Sequence, residues 1–84
     1  MVKVEIYSSV LCGYCYQAKA LLKKKGIKFE EVDVTFSPKK RKEMETRAGR
    51  FTVPQIFIDG KSIGGSDELY DLEQSGKLDE LLAG

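Results

Sequence analysis

Val2-Lys3-Val4-Glu5-Ile6-Tyr7 alternates apolar and polar side chains, the period of a strand with one face on a core, and predicts β structure at the start of the chain. Cys15, Ala18 and Leu22 then recur at helical spacing, which predicts a helix through Lys25 that stops at Gly26. Lys28–Val34, with Phe29, Val32 and Val34 as its apolar content, reads as a second strand. A strand, a helix and a strand within roughly thirty residues form a βαβ unit, so the two strands should be parallel and the crossover right-handed. Ser37-Pro38 suits a helix start, and the pattern through Met44 to Ala48 closes at Gly49. Gln55–Ile58 and Lys61–Ile63 flank Asp59-Gly60, the signature of a hairpin with a type I′ turn. Gly64-Gly65 breaks the chain before Ser66-Asp67, expected to cap a helix carrying Leu69 and Leu72, and Gly76 sets off a final helical turn with Leu78, Leu81 and Leu82. The order βαβαββα predicts an α/β fold, a mixed four-stranded sheet flanked by helices, in a single domain spanning residues 1–84. Its expected core is Val4, Ile6, Ala18, Leu22, Val32, Met44, Phe57, Ile63, Leu69 and Leu72.

Charge narrows the partners. With 14 Lys and Arg against 13 Asp and Glu, the chain lacks the basic excess of a nucleic-acid binder and suits a small, nearly neutral partner. Lys39-Lys40-Arg41-Lys42 reads as a solvated helix face rather than a nucleic-acid patch. No apolar run reaches the length of a membrane span, and the N-terminus lacks a signal-peptide layout, so the expected compartment is the cytoplasm. In a reducing compartment a cysteine pair is catalytic or metal-binding more often than a permanent staple.

Cys12 and Cys15 are the only two cysteines, and they straddle the start of the first helix. Free backbone N–H groups and the positive dipole end favour an anion there, which for a cysteine means the nucleophilic thiolate. One helical turn also brings two such residues within disulfide reach. Cys12, at the mouth of the turn, is the expected nucleophile; Cys15, on the face of Ala18 and Leu22, is the expected resolving thiol. The chain has no histidine, which excludes Cys-His catalysis and imidazole metal sites, and two cysteines alone do not complete a zinc tetrahedron. Gly65-Ser66-Asp67 at a helix start forms a natural anion site.

A Cys-x-x-Cys at the first strand–helix junction of such a sheet is a thioredoxin-like layout. Cys12-Gly13-Tyr14-Cys15, Thr52-Val53-Pro54 and Gly64-Gly65-Ser66-Asp67, in this order and spacing, resemble the bacterial dithiol glutaredoxins over essentially the whole chain. The resemblance implies a glutathione-dependent oxidoreductase that acts as a monomer on protein disulfides and glutathionylated proteins. It also implies a cis bond before Pro54 and strand-like pairing of Val53 with the cysteine of glutathione. Gly65, Ser66 and Asp67 would take the γ-glutamyl zwitterion, Arg41 the glycine carboxylate, and Tyr14 and Thr52 would wall the groove. Two departures stand out: Gly13 replaces a common proline, and Ser9 replaces a common lysine, for which Lys19 is a partial substitute. Relatives with a small residue at the Gly13 position include some that hold a [2Fe-2S] cluster between two subunits, so Cys12 as a cluster ligand is one alternative. A dedicated electron donor to an enzyme such as a ribonucleotide reductase is another.

Overall fold

The computed structural model describes residues 2–83. Strands β1 (Val4–Ser8), β2 (Glu30–Asp33), β3 (Gln55–Ile58) and β4 (Lys61–Gly64) alternate with helices α1 (Gly13–Lys24), α2 (Pro38–Ala48), α3 (Ser66–Gln74) and α4 (Lys77–Leu82) in the order β1 α1 β2 α2 β3 β4 α3 α4. The sheet runs β2-β1-β3-β4, with β2 parallel to β1 and the other pairs antiparallel. This is the mixed four-stranded sheet the pattern predicts.

Local chemistry accounts for the element ends. Ser37 caps α2 by accepting the Lys40 N–H at 3.2 Å, and Pro38 follows at the first helical position. Asp59 and Gly60 have φ of 51° and 81°, the two positive values that a type I′ turn requires. Two boundaries differ from expectation. β2 is shorter than Lys28–Val34 because it is an edge strand paired only with β1, from Glu30 opposite Glu5 to Asp33 opposite Ser8. Gly65, not Ser66 or Asp67, is the N-cap of α3, and Ser66 begins the helix.

Helices cover both faces of the sheet. Val4, Ile6, Ile56 and Ile58 pack on Ala18, Leu21, Leu22, Leu69 and Leu78 from α1, α3 and α4. Tyr7 and Phe57 pack on Val34 and on Met44 of α2. The core is larger than expected: Leu21, Ile56, Ile58 and Leu78 join the first cluster, and Tyr7 and Val34 the second. Tyr7, in phase with the polar Lys3 and Glu5, is fully buried because α2 closes the second face, and Gln55, in phase with Phe57, is fully buried as well. Val32, Ile63 and Leu72 are only partly buried, at the margins of the two clusters.

One side chain holds α2 to that face. Arg47 donates to both carboxylate oxygens of Glu5 at 3.2 Å and to the Tyr7 hydroxyl at 2.9 Å. Its guanidinium also lies 4.1 Å from the centre of the Phe57 ring. The Tyr7 hydroxyl in turn donates to Glu43 at 2.5 Å. The two Arg47 hydrogen bonds hold the Glu5 carboxyl below its ordinary value of 4.5, against the opposing effect of burial. Arg47→Met should therefore lower stability in urea unfolding by about 1–3 kcal/mol. A carboxyl lowered in the folded state contributes fully above its unfolded value and loses that contribution as pH falls through the folded one. The wild type should lose stability as pH drops below 4.5, and Arg47→Met should lose less over the same interval.

Candidate active site

β1 ends at Ser8, and the chain turns through residues 9–12 into α1. Cys12 is the N-cap, with extended backbone (φ −117°, ψ 111°), and its sulfur accepts the Cys15 N–H at 3.2 Å. A cysteine sulfur thus fills the place that serine or aspartate oxygen takes in most helices. The Cys12 N–H donates to Ser9 O at 3.3 Å, closing the turn. Ser9 also accepts the Leu11 N–H and the Thr35 hydroxyl at 3.2 Å each, so it braces the loop.

The two sulfurs have opposite surroundings. Cys12 is half-buried, whereas Cys15 is fully buried on the face of α1 that also buries Ala18 and Leu22. Burial, followed by the hydrogen bond with Cys12, pushes the Cys15 thiol up to about 12. At neutral pH Cys15 is a protonated thiol inside the core, and Cys12 is the sulfur that an outside disulfide can reach. Lys19 is paired with Glu31 at 2.8 Å, and Glu31 also accepts the Ser8 hydroxyl at 2.6 Å, so the Lys19 charge is already engaged.

Pairing of β1 with β3 brings the segment before β3 over Cys12. The Val53–Pro54 peptide is cis, and the Cys12 thiol donates to Val53 O at 3.5 Å. Behind this segment the fully buried Gln55 amide donates to Thr52 O at 2.9 Å and to Thr52 Oγ1 at 3.3 Å. The start of α3 completes the site. A side chain on Gly65 would place its Cβ 3.1 Å from Pro54 O, so glycine lets the helix approach the cis-proline loop. Gly64 has φ of 109°, and a Cβ there would lie 2.5 Å from Glu68 Oε1. That Glu68 oxygen accepts the Gly65 N–H at 2.7 Å and Arg50 Nη1 at 2.6 Å. Both contacts, the Gly65 N–H first, hold the Glu68 carboxyl below its ordinary value. This is half of a capping box, because glycine has no side chain to return the bond.

A cavity of about 190 Å³ lies between these elements. Tyr14, Thr52, Val53, Pro54, Gly65, Ser66 and Asp67 line it, all of them anticipated from the sequence. Arg50 and Glu68 line it as well and were missed; a charged residue just before Thr52-Val53-Pro54 and a Glu three residues after Gly65 were the available signals. Arg41 is not in the wall: its Nη1 donates to Phe51 O at 3.1 Å, tying α2 to the loop that carries Thr52. Tyr16 is exposed on the α1 surface. Among the described residues no group of three or more His, Cys, Asp or Glu is arranged to hold a metal ion, and no helix is long and apolar enough to cross a membrane.

An open and a buried cysteine at the β1–α1 junction, facing a cis-proline loop on a β2-β1-β3-β4 sheet, define a thioredoxin-like thiol–disulfide oxidoreductase. The glutaredoxin family model matches residues 4–63. The chain is 54% identical over 82 residues to glutaredoxin 3 of Escherichia coli K12, covering 98% of this chain and 99% of that protein. The solution structure of a Brucella melitensis glutaredoxin superposes with a TM-score of 0.86 at 54% identity, covering 98% of this chain and 89% of that one. A buckwheat glutaredoxin–glutathione complex gives 0.89 at 28% identity, covering 98% and 77%. The chain belongs to the glutaredoxin family and is an oxidoreductase.

The contrast between the two sulfurs has a direct readout. Iodoacetamide at pH 8 should label one thiol of the folded, reduced protein, located at Cys12 by peptide mass spectrometry. In denaturant both thiols should react, because Cys15 then loses the burial that holds it protonated.

Proposed function

We propose that this protein is a glutathione-dependent thiol–disulfide oxidoreductase, reducing protein disulfides and glutathione mixed disulfides through the Cys12 thiolate. The observation that carries this reading is a cavity whose wall includes Val53, with its carbonyl 3.5 Å from the Cys12 sulfur, and whose far side is the N-terminus of α3. Glutathione has a cysteine flanked by a glycine carboxylate and a γ-glutamyl zwitterion, and the cavity offers a group for each. Val53 N–H and C=O suit strand-like pairing with the cysteine backbone. The free N–H groups at Ser66 and Asp67 suit the γ-glutamyl carboxylate, and the exposed Asp67 carboxylate suits its ammonium. Arg50 at the wall and Arg41, on α2 and bonded to Phe51 O, are cations near this region suited to the glycine carboxylate. The structural neighbour described as a glutathione complex supports the same assignment.

The cycle follows from thiolate chemistry. Cys12 thiolate attacks the glutathione sulfur of a mixed disulfide; a new S–S bond forms, and the substrate sulfur leaves as a thiolate that takes a proton. A second glutathione thiolate then attacks the glutathionyl sulfur on Cys12, releasing oxidised glutathione and the free Cys12 thiolate. On a protein disulfide, Cys15 closes onto Cys12 and expels the second substrate sulfur, after its proton has passed to a departing thiolate. The buried Cys15 thiol makes this second route the more demanding one. Family potentials of about −200 to −230 mV lie near the cytosolic glutathione poise, which suits a cytoplasmic, reversible role.

The open space around Gly13, where a Cβ would meet nothing within 4 Å, keeps a cluster-binding reading in view. The chain offers one accessible thiolate, so a four-thiolate [2Fe-2S] cluster would need two copies and two glutathione thiols. Held that way, Cys12 would serve as a ligand and be withdrawn from exchange.

Steady-state turnover of a glutathionylated peptide tests the main reading. Cys12→Ser should abolish it, and Cys15→Ser should retain most of it while losing reduction of protein disulfides. Retained activity in Cys12→Ser would assign the nucleophile elsewhere. Separately, Asp67→Lys should raise the KM for glutathione roughly tenfold with little change in kcat, since it reverses one charge contact to the substrate. An unchanged KM would remove Asp67 from the glutathione site.

A further inference from the structure

Among the described residues, Arg50 is the one cation lining the cavity, against the two carboxylates of Asp67 and Glu68. Glutathione brings two carboxylates and one ammonium, so its surplus carboxylate needs that cation. Arg50 is already engaged: Glu68 Oε1 accepts its Nη1 at 2.6 Å, and Arg50 forms no other ion pair among the described residues. The same oxygen accepts the Gly65 N–H at 2.7 Å. Glu68 thus takes both the cation and one of the N–H groups that the start of α3 offers to an anion. It sits at the cavity wall as a ligand carboxylate would.

The backbone makes room for this pair. A Cβ on Gly64 would lie 2.5 Å from Glu68 Oε1, and one on Gly65 would lie 3.7 Å from that oxygen and 3.9 Å from Arg50 Nη2. Two successive glycines therefore form the cradle that holds the two side chains. The pair is not locked in place, since the Arg50 and Glu68 side chains are 49% and 40% exposed, and ion pairs this exposed are exchanged at little cost. Glu68 also lines a second cavity, of about 540 Å³, between β4, α3 and α4. Lys77 lines that cavity too, is exposed, and forms no ion pair among the described residues. A Glu68 carboxylate displaced from Arg50 has open space and an unpaired ammonium on that side.

We propose that Glu68 is an internal competitor for Arg50: its carboxylate holds the guanidinium in the free protein and yields it to the glycine carboxylate of an incoming glutathionyl group. Glu68 thereby sets how tightly the site takes that end of the substrate. It acts through Arg50 and touches no reacting sulfur, so it is a positioning residue. This rests on the glutathione reading, in which the glutathionyl half of a mixed disulfide fills the cavity. A glutathionyl group without its terminal carboxylate has nothing to exchange and leaves the Arg50–Glu68 pair intact.

Two mixed disulfides of one peptide test it, the first with glutathione and the second with glutathione amidated at its glycine. Each is turned over by the wild type, Glu68→Gln, Arg50→Gln and the double variant. Glutamine keeps an oxygen for the Gly65 N–H and removes the charge that holds Arg50. Glu68→Gln should raise kcat/KM on the glutathione disulfide roughly fourfold and leave the amidated one unchanged. Arg50→Gln should lower kcat/KM on the glutathione disulfide by about the same factor, and in the double variant the gain from Glu68→Gln should vanish. Raised salt should narrow the gap between the wild type and Glu68→Gln. A Glu68→Gln variant that is unchanged or slower on the glutathione disulfide, or equally faster on both substrates, would overturn the competitor role while leaving the glutathione reading standing. Unchanged turnover in Arg50→Gln would give the glycine carboxylate to another cation and overturn the role as well. A wild type inactive on both disulfides would overturn both readings.

Discussion

The first turn of α1 must hold one sulfur at the surface and bury another three residues later. This requirement is met by making Cys12 the helix cap, so that its sulfur takes the Cys15 N–H at 3.2 Å while the Cys15 side chain is buried on the face of α1 that also buries Ala18 and Leu22. Desolvation holds Cys15 protonated, pushed up to about 12, while Cys12 stays half-buried at the mouth of the turn. Two cysteines three residues apart thereby acquire different surroundings, one half-buried and one fully buried, in a chain without histidine.

The rest of the molecule keeps that turn in register with its surroundings. β1 is a central strand, and its antiparallel partner β3 is preceded by the cis-proline loop; sheet pairing alone thus sets Val53 O 3.5 Å from the Cys12 sulfur. Gln55 fixes the loop from behind through Thr52, and Arg47 fixes α2 against the opposite face through Glu5, Tyr7 and the Phe57 ring. Apolar clusters cover both faces of the sheet beneath the site.

The far wall of the cavity depends on an absent side chain. Gly65 lets the α3 N-terminus come within 3.1 Å, measured from where a Cβ would stand, of Pro54 O. Helix N–H groups and the cis-proline loop then face a common space, one side equipped for a carboxylate and the other for an extended backbone. Glu68 takes the Gly65 N–H and holds Arg50 at the rim, so the site carries both signs of charge although the whole chain is nearly neutral.

Much of this was legible in the sequence. Periodicity together with turn and cap signals located the strands and helices, because alternation and 3.6-residue spacing report the core face and Gly, Pro and Ser mark the ends. Motif spacing located Tyr14, Thr52, Val53, Pro54, Gly65, Ser66 and Asp67 of the cavity wall but missed Arg50 and Glu68. Local pattern left Tyr7 and Gln55 out of the expected core, although both are fully buried. The sequence also pointed to Arg41 and passed over Arg50, whereas packing turns Arg41 toward Phe51 O and sets Arg50 at the cavity with Glu68. The sequence by itself determined the elements, the reactive pair and the family-like motifs, since these are written in neighbouring residues. Tertiary structure decided which sulfur is buried deeply enough to stay protonated and which cation meets the cavity, because both depend on desolvation and distance between segments far apart in the chain.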